Sequence, residues 1–509
     1  MRGVLQKSFW QLIVIYVILS VFITLNAVPR YAFHFELLAL MIALIGGFSL
    51  DWPKESDEKY TWIIWVSAAL IIILRILPYI HNTVPIGYDA AFYTAAIDQY
   101  AENRLENWFF NWAPPGLFMF TDVLKTFGIR TDVILTAGVI LFELLLGLMV
   151  YLVAKELFNK KTAAFSLLLY SVSLAQYETF QLMYLKNIVG MIFMLAAILF
   201  VQRKQYLLTA ASGIIVAAVH RPAFLLFGLC YFFYTILQMK DRKEFIKLLA
   251  TGGVILAAAL SLYLSMQGIK FFENHYAALA QNSGGSFPTF IQYLFRTLPY
   301  IVFSGIGYFF AIRRKQFNMI FLWSTITFLI VSLRLFFYNR FVIFLDIGFL
   351  IFAGYALEEL HSAKKNFTTA IIAIITAVML ITTGTAALNA SPNISPEEYA
   401  FMQNIQNITE QDSLILSNMV DDAHWLEALA HRPVAAAGMF DYGKWTHTEW
   451  RRYWSAKNFE QVKDLMDRHP RPLYIYIGEK SPRGSIEKFS TCTETVAEEG
   501  KMKLMRYTC

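Results

Sequence analysis

"PIGYDAAFYTAAIDQYAENR", residues 85–104, is a polar, helix-like stretch set between long apolar runs, and it carries Asp89, Asp98 and Glu102. Its surroundings decide the fold. The chain is 57% hydrophobic and only 16% charged, against roughly a quarter charged in ordinary soluble domains. The apolar residues gather near 9–27, 35–50, 61–80, 131–154, 162–178, 186–201, 206–220, 222–238, 248–266, 298–312, 317–333, 341–357 and 367–388. Each run approaches the ~20 residues that cross ~30 Å of hydrocarbon, which predicts a polytopic α-helical membrane protein of about 13 transmembrane helices. The first run has no small-residue cleavage site and reads as an anchor.

Lysine and arginine in the short loops set the orientation. With Arg2 and Lys7 inside, the other inside loops are "DWPKESDEKY", "KELFNKK", "QRKQ", "MKDRKEFIK", "RRKQ" and "HSAKKN", all basic. The predicted N-terminus is therefore cytoplasmic and the host membrane a plasma membrane. Segments 81–130, 267–297 and 389–509 fall outside. The net charge of +6 serves topology and the anionic inner leaflet rather than nucleic acid.

The chain changes character at "NASPNISPEEYAFMQNI". Proline and asparagine end the last span, "SPEEYAFMQNIQNI" reads as a capped amphipathic helix, and "DSLILSN" and "PLYIYIGE" read as short buried strands. Residues 1–389 are expected to form the membrane domain, with its outer loop at 81–130, and 390–509 a small extracytoplasmic α/β domain. Asn389, Asn393 and Asn407 begin sequons. Cys492 and Cys509 lie in this outer segment, where an oxidising compartment permits a disulfide; the sequence leaves their pairing open. Cys230 reads as buried filler in an apolar run. No fixed-period repeat, phosphate-binding glycine loop, CxxC pair, HExxH helix or nucleophile elbow occurs, which argues against the soluble enzyme classes those motifs mark.

Segment 81–130 opens with a helix whose N-cap position falls to Asp89. At 100° per residue, Asp89 shares a face with Tyr93, Ala96, Tyr100 and Asn103, while Asp98 and Glu102 lie opposite with Thr94. The carboxylates are therefore no catalytic pair. The aromatic cluster "NWFFNWAPPG" and a second amphipathic helix, "GLFMFTDVLKTFG", follow; the expectation is two helices lying along the membrane surface.

An Asp soon after an early span, a first large outer loop of two surface helices, the turn at Pro114 and Pro115, many further spans and a C-terminal outer domain together resemble the GT-C superfamily of integral-membrane glycosyltransferases. The residues that carry the resemblance are Asp89 with Tyr93 and "APPGLFMFTDVLKTFG". The loop follows the third span rather than the first, and Asp89 is followed by Ala90 rather than a second acid. The resemblance implies a polyprenyl- or dolichyl-phosphate-linked sugar as donor, a glycan, lipid or protein as acceptor, and membrane lipids as surroundings.

Such chemistry needs a carboxylate base for the acceptor proton and cations for the departing phosphate. Asp89 is the candidate base, although it reads equally as a helix cap. Candidate phosphate ligands are Lys186, Arg221, Arg296, Arg334 and Arg340, charges at the outer ends of spans. Arg334 and Arg340 flank the aromatic turn "RLFFYNR"; they also read as interface anchors. Arg221 could clamp carbonyls, and Lys186 could pair with Glu178 across a short turn. His220 reads as a hydrogen-bonded structural residue or part of the substrate cavity, with Tyr93, Glu178 and Tyr338. Arg75 is expected to pair or to snorkel. "GMFDYGKW" is similar to the WWDYG motif of oligosaccharyltransferases only at Asp441, Tyr442 and Gly443. The expected enzyme uses no metal; a divalent ion enters only with an oligosaccharyltransferase-like reading. The competing readings are that enzyme, a transporter or lipid flippase, and a non-catalytic scaffold, although here the charges gather at outer ends rather than at the midplane.

Overall fold

The structure is a computed structural model and describes residues 60–80, 82–102, 114–267, 287–335, 337–363, 365–437, 444–481, 489 and 491–509. The runs at 9–27 and 35–50, Arg2, Lys7, most of "DWPKESDEKY", the aromatic cluster before Pro114, Asn103, most of 267–297, Phe336 and the Asp441-Tyr442-Gly443 triplet lie outside the described residues. The chain forms two compact units: residues 1–78, 104–130 and 137–390, and residues 79–103, 131–136 and 391–509.

The first unit is helical. Thr61–Tyr79, Thr131–Leu157, which begins in the second unit, Leu185–Gln202, Arg242–Ser265, Tyr338–Ala363 and Lys365–Asn389 are long and apolar enough to cross a membrane. Tyr206–Val219, Arg221–Leu237, Leu298–Arg313 and Met319–Ser332 are apolar but shorter. The run at 162–178 departs from the expected single span. It folds as two helices, Lys160–Ser171 and Leu174–Gln181, because the Ser173 hydroxyl accepts from the Gln176 amide and starts a new helix.

Tyr338–Ala363 is the hub. Its most apolar stretch is 89% buried, against 22% for Lys365–Asn389. Close approach makes this possible: a Cβ on Gly307 would strike the Phe352 carbonyl, and one on Gly354 would strike Ser166. Small residues at helix crossings let backbones meet where the hydrophobic effect supplies little drive between helices. Isoleucines such as Ile374 and Ile381 remain exposed on the periphery, as lipid-facing residues do.

The second unit holds the Ala90–Ala101 helix together with the chain from Ser391. Ser395 caps Pro396–Ile408 by accepting from the Glu398 amide. The sheet order is β2-β1-β3-β5-β4. Strands β1 (Leu414–Ser417), β2 (Val434–Ala435) and β3 (Leu473–Ile477) are parallel; β5 (Met502–Tyr507) runs antiparallel to β3, and β4 (Thr493–Glu499) forms the edge. The two strands read from sequence are β1 and β3, both wholly buried. The mostly exposed, Glu-rich β4 blunts the sheet edge against pairing with other chains. Trp445, Trp450, Tyr453 and Phe459 fill the core beside β3. Cys492 and Cys509 form a disulfide, and Cys230 is free and buried.

Candidate active site

Asp89 follows a turn that depends on Gly87, at φ 102°, a left-handed value that favours glycine. The Ala90 amide donates back to the Gly87 carbonyl at 3.3 Å. Asp89 then takes the N-cap position of Ala90–Ala101 with φ −78° and ψ −6°, and its side chain makes no capping bond. A capping residue has extended backbone and accepts from the first-turn amides, so the cap reading is not realised. The helix itself is buried at eight of its twelve residues, more than a helix with one wet face would be. Its alanines let Val420–Ala430 pack closely against it. Tyr93, Ala96 and Tyr100 are buried, but so is Thr94 on the opposite face, where its hydroxyl donates to the Ala90 carbonyl. Asp98 accepts from the Thr131 hydroxyl at 2.6 Å and Glu102 is exposed.

The neighbours of Asp89 come from the C-terminal segment. Tyr88 OH is 2.9 Å from His424 Nε2, and the Phe92 and His424 rings lie 4.0 Å apart. Burial, then Asp421 and Asp89, push the Tyr88 phenol up. Burial lowers His424 to about 4, so the imidazole is neutral at physiological pH. Sequence reasoning missed Asp421 and His424, although "VDDAHW" put two acids and a histidine at a helix start. Next to them, Asp422 Oδ2 is buried without a hydrogen-bond partner among the described residues and, like Glu398 Oε1, crowds Gly478. Burial, with Glu398 and Asp421, pushes Asp422 up to about 8.

In the helical unit, three of the foreseen groups gather at the start of Leu185–Gln202, whose N-cap residue Tyr184 supplies no side-chain cap. Lys186 is buried with Nζ 4.7 Å from the Phe118 ring centre. Arg340 Cζ sits 5.5 Å from the Tyr184 ring centre, and its buried Nε meets no hydrogen-bond partner among the described residues. His220 caps Arg221–Leu237 through Nδ1, stacks on Phe344 at 6.2 Å, and closely approaches Gly190. Gly190 and Phe344 lie one helical turn beyond Lys186 and Arg340 respectively.

The other foreseen residues have contacts of their own. Arg296 forms an ion pair with Glu178: Phe290–Arg296 brings a guanidinium to that carboxylate. Arg221 lies 5.2 Å from the Tyr263 ring centre. Arg334 is exposed at φ 54°. It ends Met319–Ser332 in a Schellman turn, with the Leu335 amide on the Ile330 carbonyl and its own amide on Val331. Tyr338 is half-buried. Arg75 pairs with Glu143 at 2.5 Å with both side chains fully buried, and the Tyr170 hydroxyl completes the cluster. Glu143 and Asp346, both carboxylates inside apolar runs, were not foreseen. Among the described residues, no group of three or more His, Cys, Asp or Glu side chains could hold a metal ion.

No family model matches the chain, and no curated protein matches its sequence. Solved structures do match. The oligosaccharyltransferase AglB of Archaeoglobus fulgidus superposes with a TM-score of 0.63 at 14% identity, covering 83% of this chain and 70% of its own. ArnT from Cupriavidus metallidurans, bound to undecaprenyl phosphate, gives 0.58 at 15% identity, covering 89% and 98%. The arabinofuranosyltransferase AftD from Mycobacteria gives 0.56 at 11% identity, covering 88% of this chain but 42% of AftD. The fold is that of the GT-C glycosyltransferases. GT-C architecture is thus common to proteins that share little sequence with this one, and AglB has also been solved with an inhibitory peptide and a dolichol-phosphate.

Proposed function

We propose that this chain is an integral-membrane glycosyltransferase that moves a sugar from a polyprenyl- or dolichyl-phosphate donor to an acceptor on the extracytoplasmic side. The observation that carries the reading is the gathering of Lys186, Arg340 and His220 at the start of Leu185–Gln202. Two cations near one helix start form an anion site of the kind a lipid phosphate needs. The GT-C fold supports that ligand class, since ArnT was solved with undecaprenyl phosphate.

The acceptor attacks the anomeric carbon and passes its proton to Asp89. The bond from that carbon to the phosphate oxygen breaks, and the lipid phosphate leaves with the electron pair, stabilised by Lys186 and Arg340. Arg221, Arg296 and Arg334 belong to the wider cationic lining in this reading, and Tyr93, Glu178, His220 and Tyr338 to the substrate cavity. Residues 1–389 form the membrane domain and 390–509 the outer one, with the N-terminus cytoplasmic.

Titration of undecaprenyl phosphate onto the purified protein in nanodiscs tests the phosphate site. Arg340→Ala should weaken binding by about tenfold to a hundredfold, and Arg340→Lys by less, because lysine keeps the charge and loses the fork. Unchanged affinity in Arg340→Ala would remove this residue from the donor site.

A further inference from the structure

Asp346 lies in the middle of an apolar helix, six residues beyond Arg340, and is 0% exposed. Its Oδ2 accepts from Ser173 Oγ and Gln176 Nε2, each at 2.9 Å. Its Oδ1 accepts from Tyr293 OH at 2.9 Å and from Tyr300 OH. A carboxylate within a membrane helix is costly unless it is matched by donors, and such residues are kept for a purpose. Here four donors converge, all from elements other than its own helix.

Those elements carry the charged groups of the outer face. Ser173 and Gln176 belong to the start of Leu174–Gln181, which holds Glu178; Tyr293 belongs to Phe290–Arg296, which holds Arg296; Glu178 and Arg296 are paired. Gln176 also donates to the Ile343 carbonyl at 3.2 Å, one turn before Asp346. Tyr338–Ala363, which carries Asp346, also carries Arg340 and the Phe344 that stacks on His220. This carboxylate is therefore one of the points that tie the helix to its neighbours, along with the Trp323 indole, which donates to the Phe344 carbonyl.

We propose that Asp346 is a positioning residue for the donor phosphate site, setting where Arg340 stands relative to the Glu178–Arg296 pair. This rests on the phosphate site assigned above. Glu143 is the natural control: it is equally buried, but its partners Arg75 and Tyr170 lie on elements that carry none of these groups.

The experiment titrates undecaprenyl phosphate onto the full-length protein and its variants in nanodiscs, with melting temperature measured in parallel. Asp346→Asn keeps the side-chain volume and should weaken binding about tenfold, and Tyr293→Phe, which deletes one donor from a protein that still folds, about threefold. Glu143→Gln should lower the melting temperature without changing affinity. In an Arg340→Ala background, Asp346→Asn should add less than about twofold, since a residue acting through Arg340 has nothing left to position. Wild-type affinity in both Asp346→Asn and Tyr293→Phe would overturn the proposal. So would an undiminished effect in the Arg340→Ala background, or an equal loss in Glu143→Gln. Failure of the phosphate site itself shows separately, as no binding by the wild type or no change in Arg340→Ala alone.

Discussion

Asp89 stands at an N-cap position and its side chain does not cap, so Asp89→Asn should cost activity without removing a capping bond. Asp422 gives a residue-scale prediction of the opposite kind. Its carboxyl is raised from an ordinary 3.8 to about 8 by burial, with Glu398 and Asp421 adding to the effect. The folded state therefore holds a proton that the unfolded chain releases between those values. Stability from this group is intact below pH 3.8 and declines as pH rises to 8, by up to about 1.4 kcal/mol per pH unit. Asp422→Asn should raise the melting temperature more at pH 8 than at pH 5, and thermal scans at the two values check it; an equal gain would refute the assignment. Lys186, His220 and Arg340 were legible in the sequence because each breaks an apolar run near its end. Asp346 was not, because one acid in "VIFLDIGFLIF" disappears into the hydropathy of its neighbours, and its four donors come from distant parts of the chain.

Helix ends repeat one device in this chain. Met183, Lys204, Lys315 and Arg334 all adopt positive φ just after a helix, and each is followed by an amide that reaches back to the carbonyl five residues earlier. Left-handed backbone is unfavourable for residues with a Cβ. Lys315 is exposed at φ 56°, so Lys315→Gly relieves that conformation without losing packing and should stabilise the protein by about 0.5–1 kcal/mol. Thermal unfolding of the variant measures it, and destabilisation would contradict the account. Apolar run length marked helices in the described part of the span readings, with 162–178 the one that splits in two. It did not reveal the break at Ser173, because the hydroxyl that caps the new helix is also tied to Asp346, 173 residues away in the chain. The β4–β5 hairpin was also illegible, since "TETVAEEGKMKLMRY" lacks a continuous apolar strand.

At the scale of the whole molecule, the basic loops and the Cys492–Cys509 disulfide bear on the same proposed orientation, with residues 390–509 outside. The bond closes a separation of 17 residues, worth about 3 kcal/mol by chain entropy. In intact cells, a membrane-impermeant reductant followed by an impermeant thiol reagent should label Cys492 and Cys509 and spare buried Cys230. Labelling only after permeabilisation would invert the topology. The central claim is chemical, and release of lipid phosphate tests it most directly. Purified protein is incubated with a panel of labelled polyprenyl-phosphate sugars and with glycan, lipid and peptide acceptors, and free polyprenyl phosphate is measured. The account predicts acceptor-dependent release by the wild type, slowed by about 10² to 10⁴ in Asp89→Asn while undecaprenyl phosphate still binds. Release by Asp89→Asn at the wild-type rate, or no release from any donor by a wild-type protein that binds the lipid phosphate, would contradict it.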